Sequence, residues 1–178
     1  MSKQLPTREQ AISILQKNKC SPEVIAHCQA VALLALELAE KIEAKKYFID
    51  VSLIEAGALL HDLGRAKTHS VNHAIEGMQL AQAEGLPDAI VCIIKRHIGA
   101  GITTEEAQLF NWPKDNYIPQ TLEEKIVCYA DKCISGTKRI PVETTIKQLQ
   151  DQKLEDAAKR VRKLYNEITQ LLEDHNID

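Results

Sequence analysis

Aromatic residues are scarce in this chain: one Trp, two Phe and four Tyr, 4% of 178 residues. The core must therefore be built from Leu, Ile, Val and Ala, as in helix packings. No CxxC pair occurs among the five cysteines (Cys20, Cys28, Cys92, Cys128 and Cys133), and their number is odd. Both facts argue against a disulfide framework. Cys28, Cys92 and Cys128 fall in helical apolar runs and are expected as small core residues. A basic stripe is also missing. The formal net charge is −3 and the pI about 6.1, which excludes a broad footprint on long nucleic acid. No stretch approaches the ~20 consecutive apolar residues of a membrane span. The opening "MSKQLPTREQ" lacks the apolar centre of a signal peptide. A cytoplasmic protein without a membrane partner is the expectation. No run alternates polar and apolar residues as a strand does, and no repeat, low-complexity tract or linker is present.

What remains is a chain that is 44% hydrophobic and 26% charged, with helix signals along its length. Thr7 and Gln10 form a capping-box pattern. Ser21 precedes Pro22 as an N-cap, and Asp50 caps "VSLIEAGALLHD". "HSVNHAIEGMQLAQAEG" reads as a helix with Ser70 as its cap and Gly85 as its stop, and "LPDAIVCIIKRHIG" runs from Pro87 to Gly99. Thr121 and Glu124 give a second capping box for "TLEEKIVCYADKCIS". The irregular stretch "GITTEEAQLFNWPKDNYIPQ" reads as an inserted loop with one short helix. The expected fold is all-α, a compact helical bundle forming a single domain over residues 1–178. Its motif-bearing core lies at about 20–140 and a charged helical pair at 141–178. Leu154, Val161, Leu164, Ile168 and Leu171 make an apolar stripe on that pair, which either closes the domain or forms a homodimer seam.

Residues 61–65 read "HDLGR". A carboxylate at the end of an apolar helix faces the negative end of the dipole, and its charge is costly to bury. Helical spacing places other ionisable groups on apolar faces. His27 aligns with Val31, Leu34 and Leu38, and His61 with Gly57 and Ile54. His73 aligns with Gly77 and Leu80, His97 with Ile93 and Ile90, and Asp131 with Val127, Cys128 and Ile134. Taken singly, each such residue is more often a hydrogen-bonded core group than a ligand. Together, four inward histidines and two carboxylates would need separate partners in a core short of polar groups. Shared metal ions satisfy all of them, and imidazole with carboxylate suits Fe, Mn, Zn and similar ions. His69 precedes the Ser70 cap and reads as loop-borne, either backing the ligands or facing the substrate; His175, near the C-terminus, reads as solvated.

The order His27, His61-Asp62, Asp131 resembles the H…HD…D signature of the HD superfamily of metal-dependent phosphohydrolases. "HDLGR" is similar to that family's HD-I-G-[KR] segment. His73 in "HAIEG" and His97 in "IIKRHIGAG" resemble the additions found in its two-metal members, which include HD-GYP cyclic-dinucleotide phosphodiesterases. Motif order is closer still to bacterial HD-type diadenosine tetraphosphatases, with a similar "RxHxxGxxG" stretch and "LEKxIxxAD" helix. Two departures stand out. The Thr103–Gln120 loop is longer here than in those diadenosine enzymes, so the substrate rim differs. Where HD-GYP members carry a double His, this chain has Arg96-His97, and it has no GYP segment.

The resemblance implies a metal site made of His27, His61, Asp62, His73, His97 and Asp131, with Asp62 bridging two ions. One or two divalent transition metals are implied, Fe or Mn favoured, with Zn, Co or Ni also compatible. A metal-activated hydroxide would attack a phosphoester or phosphoanhydride bond of a small nucleotide-like substrate. Asp62 and Arg65 are the expected catalytic residues; Arg65, His69, Lys132 and Arg139 are the expected contacts to the substrate. Two other readings use the same residues: a non-catalytic nucleotide- or protein-binding module with structural metal, and a di-iron oxygenase.

Overall fold

The computed structural model describes residues 4–173, so His175 lies outside the described residues. Among them are nine α-helices: α1 (Arg8–Lys17), α2 (Pro22–Glu43), α3 (Val51–Leu60), α4 (His73–Ala83), α5 (Asp88–Arg96), α6 (Thr104–Leu109), α7 (Leu122–Lys132), α8 (Val142–Asp151) and α9 (Glu155–Glu173). The caps expected for the first three helices are present. Thr7 and Gln10 bond reciprocally, Ser21 accepts from the Val24 amide, and Asp50 accepts from the Leu53 amide. Each bond satisfies an amide that a helix start would otherwise leave unpaired.

Elsewhere the local chemistry differs from the expectation. Helix α4 begins at His73 behind Asn72, and the Ser70 hydroxyl accepts from the Asn72 amide one turn too early to cap the helix. At the start of α7, Thr121 accepts from the Glu124 amide, but the Glu124 carboxylate does not close a capping box. It accepts instead from the Gln120 amide and from Arg96. The Arg96–Glu124 ion pair is thus largely buried. A two-stranded ribbon, β1 (Ile134–Ser135) with β2 (Lys138–Arg139), follows α7. It is too short to show an alternation. Gly136 makes its tight turn at φ +59°, a conformation open to glycine at little cost.

Helix α2 runs through the middle and packs chiefly on α3 and α7, while α4 packs on α5 and α8 on α9. One continuous core of Leu, Ile, Val and Ala runs from Ala11 in α1 to Ile168 in α9. By length and composition α2 could cross a membrane, which the sequence reading had denied of every stretch. Here it is a core helix: Val24, Cys28, Val31, Ala32, Ala35, Leu38, Ala39 and Ile42 are buried in the bundle. All five cysteines are free; Cys92 is half-buried and the other four are buried. The C-terminal stripe closes the domain. Val161, Leu164 and Ile168 are buried and Leu171 packs on the same core, whereas Leu154 is exposed. Intramolecular packing thus uses the residues that a dimer seam would need. A second, smaller cluster joins Ala74 and Ile75 of α4 to Ile102, Ala107, Trp112 and Tyr117 of the inserted loop.

Beyond His61 and Asp62 the chain turns through a 3-10 segment, Leu63–Ala66, which lies against α4. A Cβ on Gly64 would stand 1.8 Å from the His73 carbonyl oxygen and 2.4 Å from the Gly77 nitrogen. Only glycine permits this approach, and the opposing atoms are backbone. A Cβ on Gly57 meets side chain rather than backbone: Ile93 Cδ1 at 2.3 Å and Cγ2 at 3.1 Å. Gly64→Ala is therefore expected to cost more than ~3 kcal/mol, and Gly57→Ala roughly 1–3 kcal/mol, as read from urea unfolding of the two variants. Equal losses would refute the backbone-clash account.

Candidate metal centre

Five helices bring six side chains to one place. His27 projects from the second turn of α2, and Asp131 from the last turn of α7. His61 is the C-cap of α3, with Asp62 next to it. His73 is the first residue of α4 and His97 follows the last residue of α5. Each group is thus carried by a helix that packs on its neighbours in the bundle. His61, Asp62, His73 and His97 are between 0% and 5% exposed, which withdraws them from bulk solvent.

Every imidazole in the cluster is oriented by its Nδ1. Three donate to the carbonyl three residues back in their own segment: His61 to Ala58, His73 to Ser70 and His97 to Ile94, each at 2.7 Å. His27 Nδ1 donates to the carbonyl of Gly136, in the ribbon turn, at 2.8 Å. A carbonyl oxygen only accepts, so all four Nδ1 atoms carry hydrogen. In a neutral ring Nε2 is then a bare lone pair, the form that binds metal.

Those four Nε2 atoms point at carboxylate oxygens and at each other. His27 Nε2 lies 3.1 Å and His61 Nε2 3.5 Å from Asp131 Oδ1. The same two lie 3.9 and 3.8 Å from Asp62 Oδ2. His73 Nε2 and His97 Nε2 lie 3.2 and 3.4 Å from Asp62 Oδ1, and 3.0 Å from each other. Acceptor faces acceptor throughout, an arrangement that needs protons or cations between them. His61 Nε2 and Asp62 Oδ1 are fully buried and have no hydrogen-bond partner. Two groups of donors converge closely enough for metal: His27, His61 and Asp131, and His61, Asp62 and His97, with ligand atoms within 4.8 Å of one another. The donor set therefore fits a divalent metal.

Electrostatics agree. Burial opposes the charge on Asp62, yet the neighbouring imidazoles of His61, His73 and His97 outweigh it and hold its pKa well below the usual carboxylate range. Asp131, half-buried, is likewise held low, chiefly by the Lys132 ammonium. Burial would lower His61, but the neighbouring Asp62 lifts it well above its ordinary value. For His97 burial dominates and pushes the pKa down to about 4, so its Nε2 is a free lone pair at neutral pH. The cluster keeps its carboxylates ionised and attracts positive charge.

Of the expected substrate contacts, two lie at the opening. Arg65 Nε donates to Asp62 Oδ2 at 2.9 Å, and its Nη1 donates to the His69 carbonyl at 3.2 Å. Arg65 and His69 line a cavity of about 240 Å³ together with Glu23, Val24, His27, Asp62 and Gly136. Lys132 is not among the residues lining it. Its ammonium pairs with Asp131 Oδ2 at 2.5 Å and is largely buried, so it neutralises a ligand rather than reaching out. Nor does the structure bring Arg139 to the site. That residue pairs with Glu37, ten residues along α2 from His27, about 15 Å at 1.5 Å per residue. Sequence reasoning missed Gly136, whose carbonyl fixes the His27 ring. The only signal was a glycine in "SGTKR", read there for its cations.

An ion that binds the folded chain alone stabilises it by RT ln(1 + [L]/Kd), about 2.7 kcal/mol at a hundredfold excess over Kd. Mn(II) is therefore expected to raise the melting temperature of the metal-stripped protein by roughly 5–10 °C at this chain length. Asp62→Asn is expected to remove most of that rise. A melting curve indifferent to metal would refute the site.

Comparison with known proteins agrees with this geometry. The HD domain profile matches residues 24–136. An uncharacterised protein of Methanocaldococcus jannaschii is 45% identical over 166 residues, covering 92% of this chain and 98% of that one. A tRNA (cytidine(56)-2′-O)-methyltransferase of Thermoplasma volcanium is 39% identical over 90% of this chain, but the match spans only 46% of that protein. Ribonuclease Y of Aquifex aeolicus is 29% identical over 82% of this chain and 23% of its own length. In fold, the chain is similar to the HD domain of the Listeria monocytogenes phosphodiesterase PgpH, solved with cyclic-di-AMP. The TM-score is 0.56, with 18% identity over 94% of this chain and 99% of that one. The chain belongs to the HD domain family, the superfamily of metal-dependent phosphohydrolases.

Proposed function

We propose that the chain is a two-metal phosphohydrolase that cleaves a phosphoester or phosphoanhydride bond of a small nucleotide-like substrate. One observation carries this reading: six side chains from five helices converge with every Nε2 turned toward a carboxylate oxygen instead of a donor. His27, His61, Asp131 Oδ1 and Asp62 Oδ2 would hold one ion, and His73, His97 and Asp62 Oδ1 the other. Fe or Mn suits this mixture of imidazole and carboxylate best, and Zn, Co or Ni also fits. Such ions, when bound, lower the pKa of water toward 7 and neutralise charge on phosphoryl oxygens.

The protein's own groups do the rest. Asp62 offers one oxygen to each side and so sets the separation of the two positions. Lys132 balances Asp131 while leaving its Oδ1 turned inward. Arg65 uses two of its five N–H donors on Asp62 and the His69 carbonyl and keeps others for a phosphate oxygen. His69 lines the mouth, where it meets the part of the substrate that leaves. The opening of about 240 Å³ is smaller than the ~300–1,000 Å³ of sites that enclose a drug-sized ligand. It suits a phosphoryl group with its sugar, the remainder lying outside. The cyclic-di-AMP bound to the PgpH domain and the name of ribonuclease Y both support a nucleotide phosphodiester as the bond attacked. With a net charge of −3, a long polynucleotide is not part of the proposal.

The test is product release from a panel: dinucleoside polyphosphates, nucleoside mono-, di- and triphosphates, 2′,3′- and 3′,5′-cyclic nucleotides, and an aryl phosphate ester. Protein purified anaerobically is supplied separately with Fe(II), Mn(II), Co(II) or Zn(II). Turnover of one class is expected, lost in Asp62→Ala. Arg65→Ala is expected to raise KM about tenfold, as for one charged hydrogen bond of ~1.5 kcal/mol. Asp62→Ala with full activity would overturn the mechanism.

A further inference from the structure

The six ligands are not supported alike. His27, His61 and Asp131 belong to α2, α3 and α7, which pack on one another in the main core. His97 follows α5, which packs on α3 and α7 in the same core, and its carbonyl accepts from Cys128 Sγ at 3.1 Å; His73 begins α4, and the Ile102–Tyr117 loop grips the segments that carry both histidines. At the start of α4, Trp112 Nε1 donates to Asn72 Oδ1 at 2.8 Å, next to His73. The Trp112 ring packs with Ala74 and Ile75, just past His73, and edge-on against Tyr117 at 4.9 Å. At the end of α5, Lys95 pairs with Asp115, and Arg96 Nε donates to the Asn116 carbonyl at 3.1 Å, next to His97. The Ile102–Tyr117 bridge and the Tyr117 hydroxyl on the Pro113 carbonyl hold the loop's own shape.

We infer that this loop is a clamp for the second metal position, and that Trp112 and Asp115 are positioning residues that set the spacing between His73 and His97. The inference rests on the two-metal reading above. His73 Nε2 and His97 Nε2 stand 3.0 Å apart at the open end of the α4–α5 hairpin, whose connecting turn lies at the far end of both helices, and two lone pairs at that distance repel. Beyond the packing of α4 on α5, the loop ties both ligand-bearing ends against that repulsion. Asn72 provides the lever: as the residue before α4 it makes no capping bond of its own, so its amide oxygen serves the indole. Among the described residues, no hydrogen bond or ion pair runs from this loop to the side chains of His27, His61 or Asp131.

The test is a calorimetric Mn(II) titration of metal-stripped protein, with helicity checked by circular dichroism. Wild type is expected to take up two ions. Trp112→Phe keeps an aromatic six-membered ring but loses the hydrogen bond and part of the indole volume; Asp115→Asn loses the ion pair with Lys95. Each is expected to weaken the second ion about tenfold, in line with supports outside the ligand set, and to leave the first unchanged. Unchanged titrations in both variants overturn the inference, as does equal weakening of both ions with native helicity, which would make the loop a general stabiliser. Uptake of fewer than two ions by wild type would instead sink the two-metal reading, and this inference with it.

Discussion

A carboxylate that must stay charged is buried at the C-terminal end of an apolar helix, and the surroundings of Asp62 answer that problem. The dipole of α3 opposes a negative charge there, and burial removes water from it. Arg65, three residues on, takes one oxygen. The imidazoles of His73 and His97 approach the other. None of these is a complete solution, since Asp62 Oδ1 has no hydrogen-bond partner. In the proposed reading a cation completes it. The turn of Leu63–Ala66, the glycine contact with α4 and the position of His73 all follow from bringing other groups to this carboxylate.

The second feature is that orientation is settled locally. Three of the four histidines bond the carbonyl three residues earlier in their own segment. Each ring is aimed by its own helix, whatever its neighbours do. Tertiary packing then has only to bring the helices together, and the Nε2 atoms meet. A site built this way is arranged before any ligand binds, which is what a preorganised centre requires. His27 is the exception: its ring depends on Gly136, more than a hundred residues away. The cluster also relies on charge balance outside the ligands, with Lys132 buried against Asp131 and Arg96 against Glu124.

Much of the fold was legible because its signals are short-range. Thr7, Ser21 and Asp50 cap the helices that their chemistry named. Gly85, at φ +70°, ends α4 as expected. Errors arose where a side chain had a better offer from afar. Glu124 matched a capping box but serves Arg96 and the Gln120 amide. Lys132 and Arg139 were read as substrate contacts because cations near a motif suit phosphate, yet Asp131 and Glu37 claim them.

The sequence by itself determined which groups point inward, because helical periodicity ties a residue's direction to its spacing, and it determined the helix starts through local caps. The ordered His27, His61-Asp62, His73, His97 and Asp131 could be read as one set for that reason. Only the tertiary structure decided that the inward faces share a single centre and which carboxylate oxygen meets which ring. It alone decided that Gly136 aims His27 and that the inserted loop holds the segments of His73 and His97. Those facts depend on how helices distant in sequence cross and pack, and no local pattern encodes that.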